Sequence, residues 1–367
     1  MTTTIDRLPP VSFPTNLFND LGEGFPVTAA LIGLLSQPQA GGSSWEEKLA
    51  DLDRHLDAAL DAAYEKGSPE ALQDVQQGLF LVYETSFANP LSPACAHERA
   101  PWLAARRERM EAPWLASDMA TLNVPSSEEC GRMGSEEVRD WFLKAAAEES
   151  EVDRDVVSYL EHEASVEDYA QFVNADAHLN YRFYDSLVLS LMHYSETVKT
   201  EISEHFWEEA GEGDVEQSHT RQFTRSLERL GVEWEHTPKW NDWRPFAGYN
   251  LYFCLGLARR HCFKALGSLA MPELFDVERD RAIVNGLNRL GFDAERDFEY
   301  YWNHVEADAE HGPGWLNGVI LPIAEAQSEA TFELIAGAAL RMQAMRRFNT
   351  YLAERFRLGE RSEVSAA

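Results

Sequence analysis

The feature that most constrains the fold of this chain is a helical spacing of apolar residues, which recurs from residue 44 to residue 356. Apolar residues three and four apart mark one face of an amphipathic helix, whereas strict alternation marks a half-buried strand. Segments of the second kind are too scarce here to build an α/β sheet. The sequence therefore predicts an all-α fold made of packed helices.

Breaks in this spacing predict where helices and domains begin and end. Ser44 precedes the amphipathic run WEEKLADLDRHLDAALDAAYEKG as a helix cap, and a Gly-Ser-Pro break separates that run from the next helix. Residues 90–130 are richer in proline, serine and tryptophan, which indicates a connector with one short helix. We therefore predict a helical accessory region over residues 1–125 and a main helical domain over residues 126–367.

Three later helices are predicted in the main domain. The stretch NLYFCLGLARRHCFKALGSLAMPELF predicts one long apolar helix, and RDRAIVNGLNRLG predicts the helix after it. RDFEYYWNHVEADAEH predicts a third helix, and Pro313, which has a glycine on each side, is expected to end or kink it. This third helix carries the most informative group of metal-binding residue types in the chain.

The chain is strongly acidic, with 62 acidic against 32 basic residues and a formal charge of −30. That charge opposes binding to nucleic acid or to an anionic membrane surface. The N-terminal residues lack the basic and apolar segments of a signal peptide, and no apolar run reaches the length of a membrane span. The four cysteines show no CxxC spacing, so neither a disulfide framework nor a zinc site is indicated. We expect a soluble cytoplasmic protein.

Three potential metal ligands share one face of the helix that contains NHVEADAEH. His304, Asp308 and His311 are spaced by four and three residues, which places them within roughly 60° of arc on an α-helix. Two imidazoles and a carboxylate that converge on one point suit iron or another borderline transition metal. The pattern predicts half of a metal site, and its alternative is a polar helix face with two incidental histidines.

Further donors upstream would complete a two-metal site. Glu209 and His219 are ten residues apart, roughly 80° out of register on an ideal helix. Gly211 and Gly213 between them would let the backbone re-aim. Glu273 follows a mostly apolar stretch and is placed to face inward. Each has an ordinary alternative, since a solvated acidic turn would explain the first pair and an exposed helix-end carboxylate would explain Glu273.

The order of these donors resembles that of the heme-oxygenase-like di-iron oxidases, also described as iron-containing redox enzymes. The family pattern is a glutamate before a G-x-G turn and a histidine, a glutamate on a middle helix, and a closing H-x3-D-x2-H helix. WEEAGEGD and HVEADAEH are close matches to it, and the resemblance covers roughly residues 135–350. It implies a heme-oxygenase-like helical bundle, two Fe(II) ions, and O2 as co-substrate. The ligands that it implies are Glu209, His219, Glu273, His304, Asp308 and His311.

One departure from the family pattern bears on the reaction. Members that oxygenate nitrogen carry a further glutamate on a helix ahead of the G-x-G turn, whereas this chain has NADAHLNYRFYDSLV there. Asp176 or Asp185 is either a shorter substitute or an ordinary surface or capping residue. We therefore expect C–H functionalisation, desaturation or C–C cleavage, with N-oxygenation of an amine or guanidine as the alternative.

The remaining expectations concern partners. Arg259 or Arg260 would bind a substrate carboxylate through its guanidinium, or else form an internal salt bridge. The resemblance implies a small amino-acid-like or amine substrate, a setting in specialised metabolism, and room for an external electron donor. The acidic helices of residues 1–125 fit a homodimer contact as well as they fit a cap on the main domain.

Two other classes of protein are alternatives to the enzyme. One is a non-catalytic all-α interaction protein in which the donor pattern is accidental. The other is a heme protein, which fits poorly because six donors are more than a heme needs and carboxylates are poor axial ligands.

Overall fold

The structure is a computed structural model that describes residues 25–39, 41–152, 154–192, 195–233, 238 and 240–358, and among these the side chains of residues 306–309 are excluded. Every regular element in the described ranges is helical and none is a strand, which confirms the predicted all-α fold. Within the same ranges, no helix is long and apolar enough to cross a membrane.

The α-helices of the described ranges are numbered here in chain order. They are α1 (Pro26–Leu35), α2 (Ser43–Leu60), α3 (Pro69–Glu84), α4 (Pro101–Ala120), α5 (Ser127–Cys130), α6 (Ser135–Val152), α7 (Arg154–His162), α8 (Val166–Leu191), α9 (Glu196–Glu209), α10 (His219–Arg229), α11 (Trp243–Gly256), α12 (Cys262–Arg289), α13 (Ala294–Asp297), α14 (Glu299–Gly314), α15 (Leu321–Ala326) and α16 (Thr331–Arg355).

The chain divides into two compact units. The first consists of residues 1–121 and 235–250, and the second of residues 122–234 and 251–367. Residues 235–250 thus group with the N-terminal part of the chain, an association of distant segments that a division by sequence alone does not contain. The accessory and homodimer roles expected of the N-terminal region stay predictions.

In the first unit, helices α1, α2 and α3 pack against one another. Leu31 and Leu35 of α1 and Leu79 and Leu81 of α3 are completely buried. The N-terminus of α1 has no capping side chain of its own. Instead, the buried Asp74 of α3 accepts hydrogen bonds from the first free backbone N–H groups of α1 and takes the place of a cap.

Asp74→Ala is expected to destabilise the first unit by about 2 kcal/mol, because two buried N–H groups would lose their acceptor. These groups are the amides of Val27 and Thr28, which lie 3.0 Å and 2.8 Å from the Asp74 carboxylate oxygens. Urea unfolding, followed together with amide exchange at residues 27 and 28, measures the effect. Glu65→Ala, at an exposed position of the same unit, is the control, and equal stability of the two variants would contradict the assignment of Asp74 as a cap.

In the second unit, the 28-residue helix α12 packs along α14 and α16. Two glycines allow α12 and α16 to touch backbone to backbone. A Cβ atom built on Gly267 would lie 2.0 Å from the carbonyl oxygen of Leu334, and one built on Gly337 would lie 2.0 Å from that of Lys264. The two helices therefore meet at a distance that admits no side chain at either position.

The core of the second unit is rich in aromatic side chains. The ring centroid of Tyr301 on α14 lies 6.4 Å from that of Phe172 on α8 and 6.3 Å from that of Phe223 on α10. Ile283 and Leu287 of α12 are buried in the same cluster. This core holds α8, α10, α12 and α14 together, and these helices supply most of the candidate ligands.

Pro313, which was expected to end or kink its helix, lies inside α14. Helix α14 continues past this proline to Gly314, and the chain then runs as a π-helical segment over Trp315–Ile320 before α15 begins. Proline lacks the N–H that an α-helix needs, and a π turn is one way in which a helix absorbs such a defect. The chain therefore changes helix type beyond His311 and does not end there.

Candidate metal centre

Glu209, His219 and His304 form one group of potential metal ligands, which we call the first cluster. One ligand atom from each lies within 4.8 Å of the others. The Nδ1 atom of His219 is 2.9 Å from Oε1 of Glu209, and the ring centroids of His219 and His304 are 4.5 Å apart. Three donors from three different helices thus converge on one small volume.

The turn between α9 and α10 brings Glu209 and His219 together. Glu209 is the last residue of α9 and His219 is the first residue of α10. Gly211 has a φ of +66°, and a Cβ atom at this position would lie 2.4 Å from the backbone nitrogen of Ser218. Only glycine fits such a site without strain. The backbone thus re-aims between the two donors in the way expected of the G-x-G sequence.

The tautomer of His304 is fixed by its own helix. Its Nδ1 atom lies 2.6 Å from the carbonyl oxygen of Tyr300. A carbonyl oxygen can only accept a hydrogen bond, so Nδ1 carries the proton and donates it. The lone pair then belongs to Nε2, which is the arrangement that a histidine ligand with a backbone partner commonly has.

His205, Glu208 and His311 form a second group of potential ligands, which we call the second cluster. The Nε2 atom of His311 contacts Oε2 of Glu208, and its Nδ1 atom lies 3.3 Å from Oε2 of Glu273. The ring centroids of His205 and His311 are 4.5 Å apart. Both nitrogens of His311 therefore face a carboxylate.

Burial and neighbouring imidazoles together set the protonation states of His205 and Glu209. Desolvation, together with the nearby His311, lowers the pKa of His205 to about 3, so its imidazole is neutral at pH 7. Burial alone would raise the pKa of Glu209, but the imidazoles of His219, His304 and His311 hold that pKa below its ordinary value. A neutral imidazole and an ionised carboxylate are the forms that bind metal ions.

Four of the residues expected from the sequence lie in the two clusters, and a fifth touches one of them. Glu209, His219 and His304 form the first cluster, His311 belongs to the second, and Glu273 contacts His311. The side chain of Asp308 lies outside the described residues, so its expected role stays a prediction.

The sequence did not predict two potential ligands of the second cluster, His205 and Glu208. Both lie on α9, within one turn of Glu209. His205 is four residues before Glu209, the spacing that puts two side chains on one helix face. That spacing is the signal that would have pointed to His205.

A cavity that is partly open to solvent adjoins the first cluster. Glu209, Glu273 and His304 contribute to its wall. Its other lining residues are Phe172, Asp176, Leu179, Asn180, Phe183, Tyr252, Pro272, Asp276, Arg279, Asp280, Ile283, Tyr300, Tyr301 and Arg341. Three candidate ligands therefore lie on the wall of this cavity.

The other predicted site residues are placed differently with respect to this cavity. Asp176 lines it and accepts a 2.8 Å hydrogen bond from Nδ2 of Asn180. Asp185 is not among the lining residues and pairs with Arg182 at 3.2 Å. Arg259 and Arg260 are exposed on a short 3-10 turn and do not line the cavity either. They precede α12 by three and two residues.

The donor set fits iron. Imidazole nitrogens and carboxylate oxygens together suit Fe(II) and similar borderline metals, and the absence of thiolates from both clusters removes the ligand type that favours zinc or iron–sulfur sites. The buried Nδ1 atom of His205 has no hydrogen-bond partner among the described residues. A buried polar atom of this kind calls for a partner, which the described residues do not supply.

Comparison with known proteins gives one family. No curated protein matches the chain. A sequence model of the family described as iron-containing redox enzyme matches residues 170–346, a segment that contains both clusters and the cavity. The all-α bundle of the second unit agrees with the heme-oxygenase-like fold expected of that family. Residues 170–346 of this chain are therefore similar to the iron-containing redox enzymes, which supports an iron-dependent oxidoreductase.

Proposed function

We propose that this chain is a non-heme di-iron enzyme that uses O2 to oxidise a small amino-acid-like substrate. The observation that carries this proposal is the pair of adjacent clusters. Glu208 and Glu209 are neighbours in the sequence, and successive helix residues point about 100° apart, so each reaches a different cluster. One helix end thereby supplies a carboxylate to each of two sites.

The proposed ligands follow from the contacts. Glu209, His219 and His304 would hold one Fe(II) ion, and His205, Glu208 and His311 would contribute to the other. Glu273, which touches His311 and lines the cavity, is placed to complete the set, and Asp308 is retained from the family pattern. Bound Fe(II) would supply the electrons and the open coordination positions that O2 chemistry needs.

The residues of the chain would position the substrate and limit access of water. Aromatic rings of Phe172, Phe183 and Tyr301 form much of the cavity wall. Burial raises the pKa of Tyr300 well above its ordinary value, so this phenol keeps its proton. Its hydroxyl donates a 2.8 Å hydrogen bond to Oδ1 of Asn180, whose amide in turn holds Asp176.

Oxidation at carbon, by hydroxylation, desaturation or C–C cleavage, is the outcome that the missing upstream glutamate favours. N-oxygenation of an amine or guanidine is the second candidate, and one observation supports it. Asp176 is oriented by Asn180 on the cavity wall, where a shorter substitute for that glutamate would have to lie. A non-catalytic interaction protein is disfavoured, because its donors would be scattered, whereas here they are gathered and largely buried.

Stopped-flow mixing of the Fe(II)-loaded protein with O2, across a panel of amino acids and amines, tests the proposed function. We expect O2 consumption to accelerate with a small subset of the panel, together with a transient absorbance that the metal-free protein lacks. Mass analysis of the product then distinguishes gain of an oxygen atom from loss of two hydrogens or chain cleavage. O2 consumption that no compound changes, and no product from any of them, would contradict the proposal.

A further inference from the structure

Arg341 is a buried cation on the wall of the cavity. Only 7% of its surface is exposed, and its guanidinium carbon lies 4.7 Å from the ring centroid of Tyr252. Its Nε atom has no hydrogen-bond partner, and the guanidinium forms no ion pair with any residue in the described ranges. Arg341 thus packs on an aromatic face without an anion.

Two other half-buried cations of the second unit are paired. Arg279, on the same cavity wall, lies 3.7 Å from Oδ1 of Asp276, and Lys264 pairs with Glu333. Tyr252 is not the counterion of Arg341, because burial raises the pKa of its phenol to about 12 even beside the guanidinium. Arg341 therefore differs from these two cations in having no negative partner among the described residues.

An unpaired buried guanidinium is costly, because the cation loses its hydration without gaining an equivalent interaction. Guanidinium groups bind carboxylates through two parallel hydrogen bonds, which makes arginine the usual receptor for such groups. Since Arg341 lines the same cavity as Glu209, Glu273 and His304, a carboxylate held by it would lie in the compartment of the candidate ligands.

We propose that Arg341 is the receptor for a carboxylate group of the substrate. This inference rests on the proposed function, and it narrows the substrate class to amino acids as opposed to amines or guanidines without a carboxylate. The carboxylates of Asp176 and Asp280 on the same wall give a complementary position for the ammonium group. The role given by sequence to Arg259 or Arg260 thereby passes to an arginine on α16.

This inference is tested by measuring how the proteinogenic L-amino acids bind to the metal-free full-length chain. Calorimetry and ligand-observed NMR give the affinities. For each acid that binds, the amine of the same skeleton without the carboxylate is the matched probe. We expect at least one acid to bind, its amine to bind roughly 10- to 100-fold more weakly, and Arg341→Gln to weaken binding of the acid by a similar factor. Arg341→Lys keeps the positive charge but loses the two parallel hydrogen bonds of the guanidinium. Its affinity for the acid should therefore lie between those of the wild type and Arg341→Gln.

Three controls separate this role from folding and from the metal site. Arg281→Gln changes an exposed arginine on α12 and should bind the acids as the wild type does. Arg341→Met should keep or raise the melting temperature, since it removes an unpaired buried charge, whereas loss of a structural ion pair would lower it.

The iron content of Arg341→Gln should equal that of the wild type. A failure of iron binding in the wild type would count against the proposed function alone. Binding of no acid, or equal binding of acids by wild type and Arg341→Gln, would overturn the inference.

Discussion

His304→Ala is expected to reduce the iron content to about one ion per chain and to lower turnover by at least about a hundredfold. The change removes an imidazole from the first cluster and leaves His205, Glu208 and His311 in place. Changes to residues that merely support metal ligands already cost 10- to 100-fold in affinity or activity, and loss of a ligand should cost more. Metal analysis after anaerobic Fe(II) loading, together with O2-consumption rates, measures both effects.

The matched change in the second cluster is His311→Ala, which should also remove about one iron while retaining the ion held by Glu209 and His219. His162→Ala, which alters an exposed histidine on α7, should keep wild-type iron content and turnover. If His304→Ala and His311→Ala both retained the iron content of the wild type, the assignment of the two clusters would be wrong.

Gly337→Val is expected to destabilise the second unit by more than about 3 kcal/mol, beyond the usual cost of overpacking. A Cβ atom at this position would lie 2.0 Å from the carbonyl oxygen of Lys264 and 2.6 Å from its Cα atom. Backbone atoms cannot rotate away as a flexible side chain can, so α12 and α16 would have to separate. Because α12 carries Glu273 and α16 carries Arg341, we also expect weaker binding of iron and of carboxylate probes.

Urea unfolding followed by circular dichroism measures this change in stability. Gly248→Ala is the matched control, since a Cβ atom at that helical position meets nothing within 4 Å. Alanine is the better helix former, so the control should hold or gain stability by roughly 0.5–1 kcal/mol. A Gly337→Val protein that unfolded at the urea concentration of the wild type would contradict the close contact between the helices.

The helical class of the fold could be predicted from local spacing, but the helix junctions could not. The sequence suggested one helix from NLYFCLGLARR to AMPELF and a second one after it. In the structure the break falls after Gly256, and α12 then runs without interruption from Cys262 through Pro272 to Arg289. A proline usually ends a helix, and here the packing of α12 between α14 and α16 outweighs that local preference.

The candidate site was predictable only where its donors follow a short spacing. His304 and His311 share a helix face, and the G-x-G sequence signals the turn that brings Glu209 to His219. By contrast, Glu208 and Glu209 are adjacent and look equivalent in sequence, while the rotation of about 100° between successive residues of α9 brings each to a different cluster. Arg341 is separated from every other site residue along the chain, so only the packing of α16 on α12 reveals it.

The central claim is that the two clusters bind two iron ions, and an anaerobic Fe(II) titration of the full-length protein tests it most directly. Iron retained after desalting, divided by protein concentration, gives the stoichiometry. The proposed ligand set predicts a plateau at about two ions per chain. A plateau at one ion or below would contradict it.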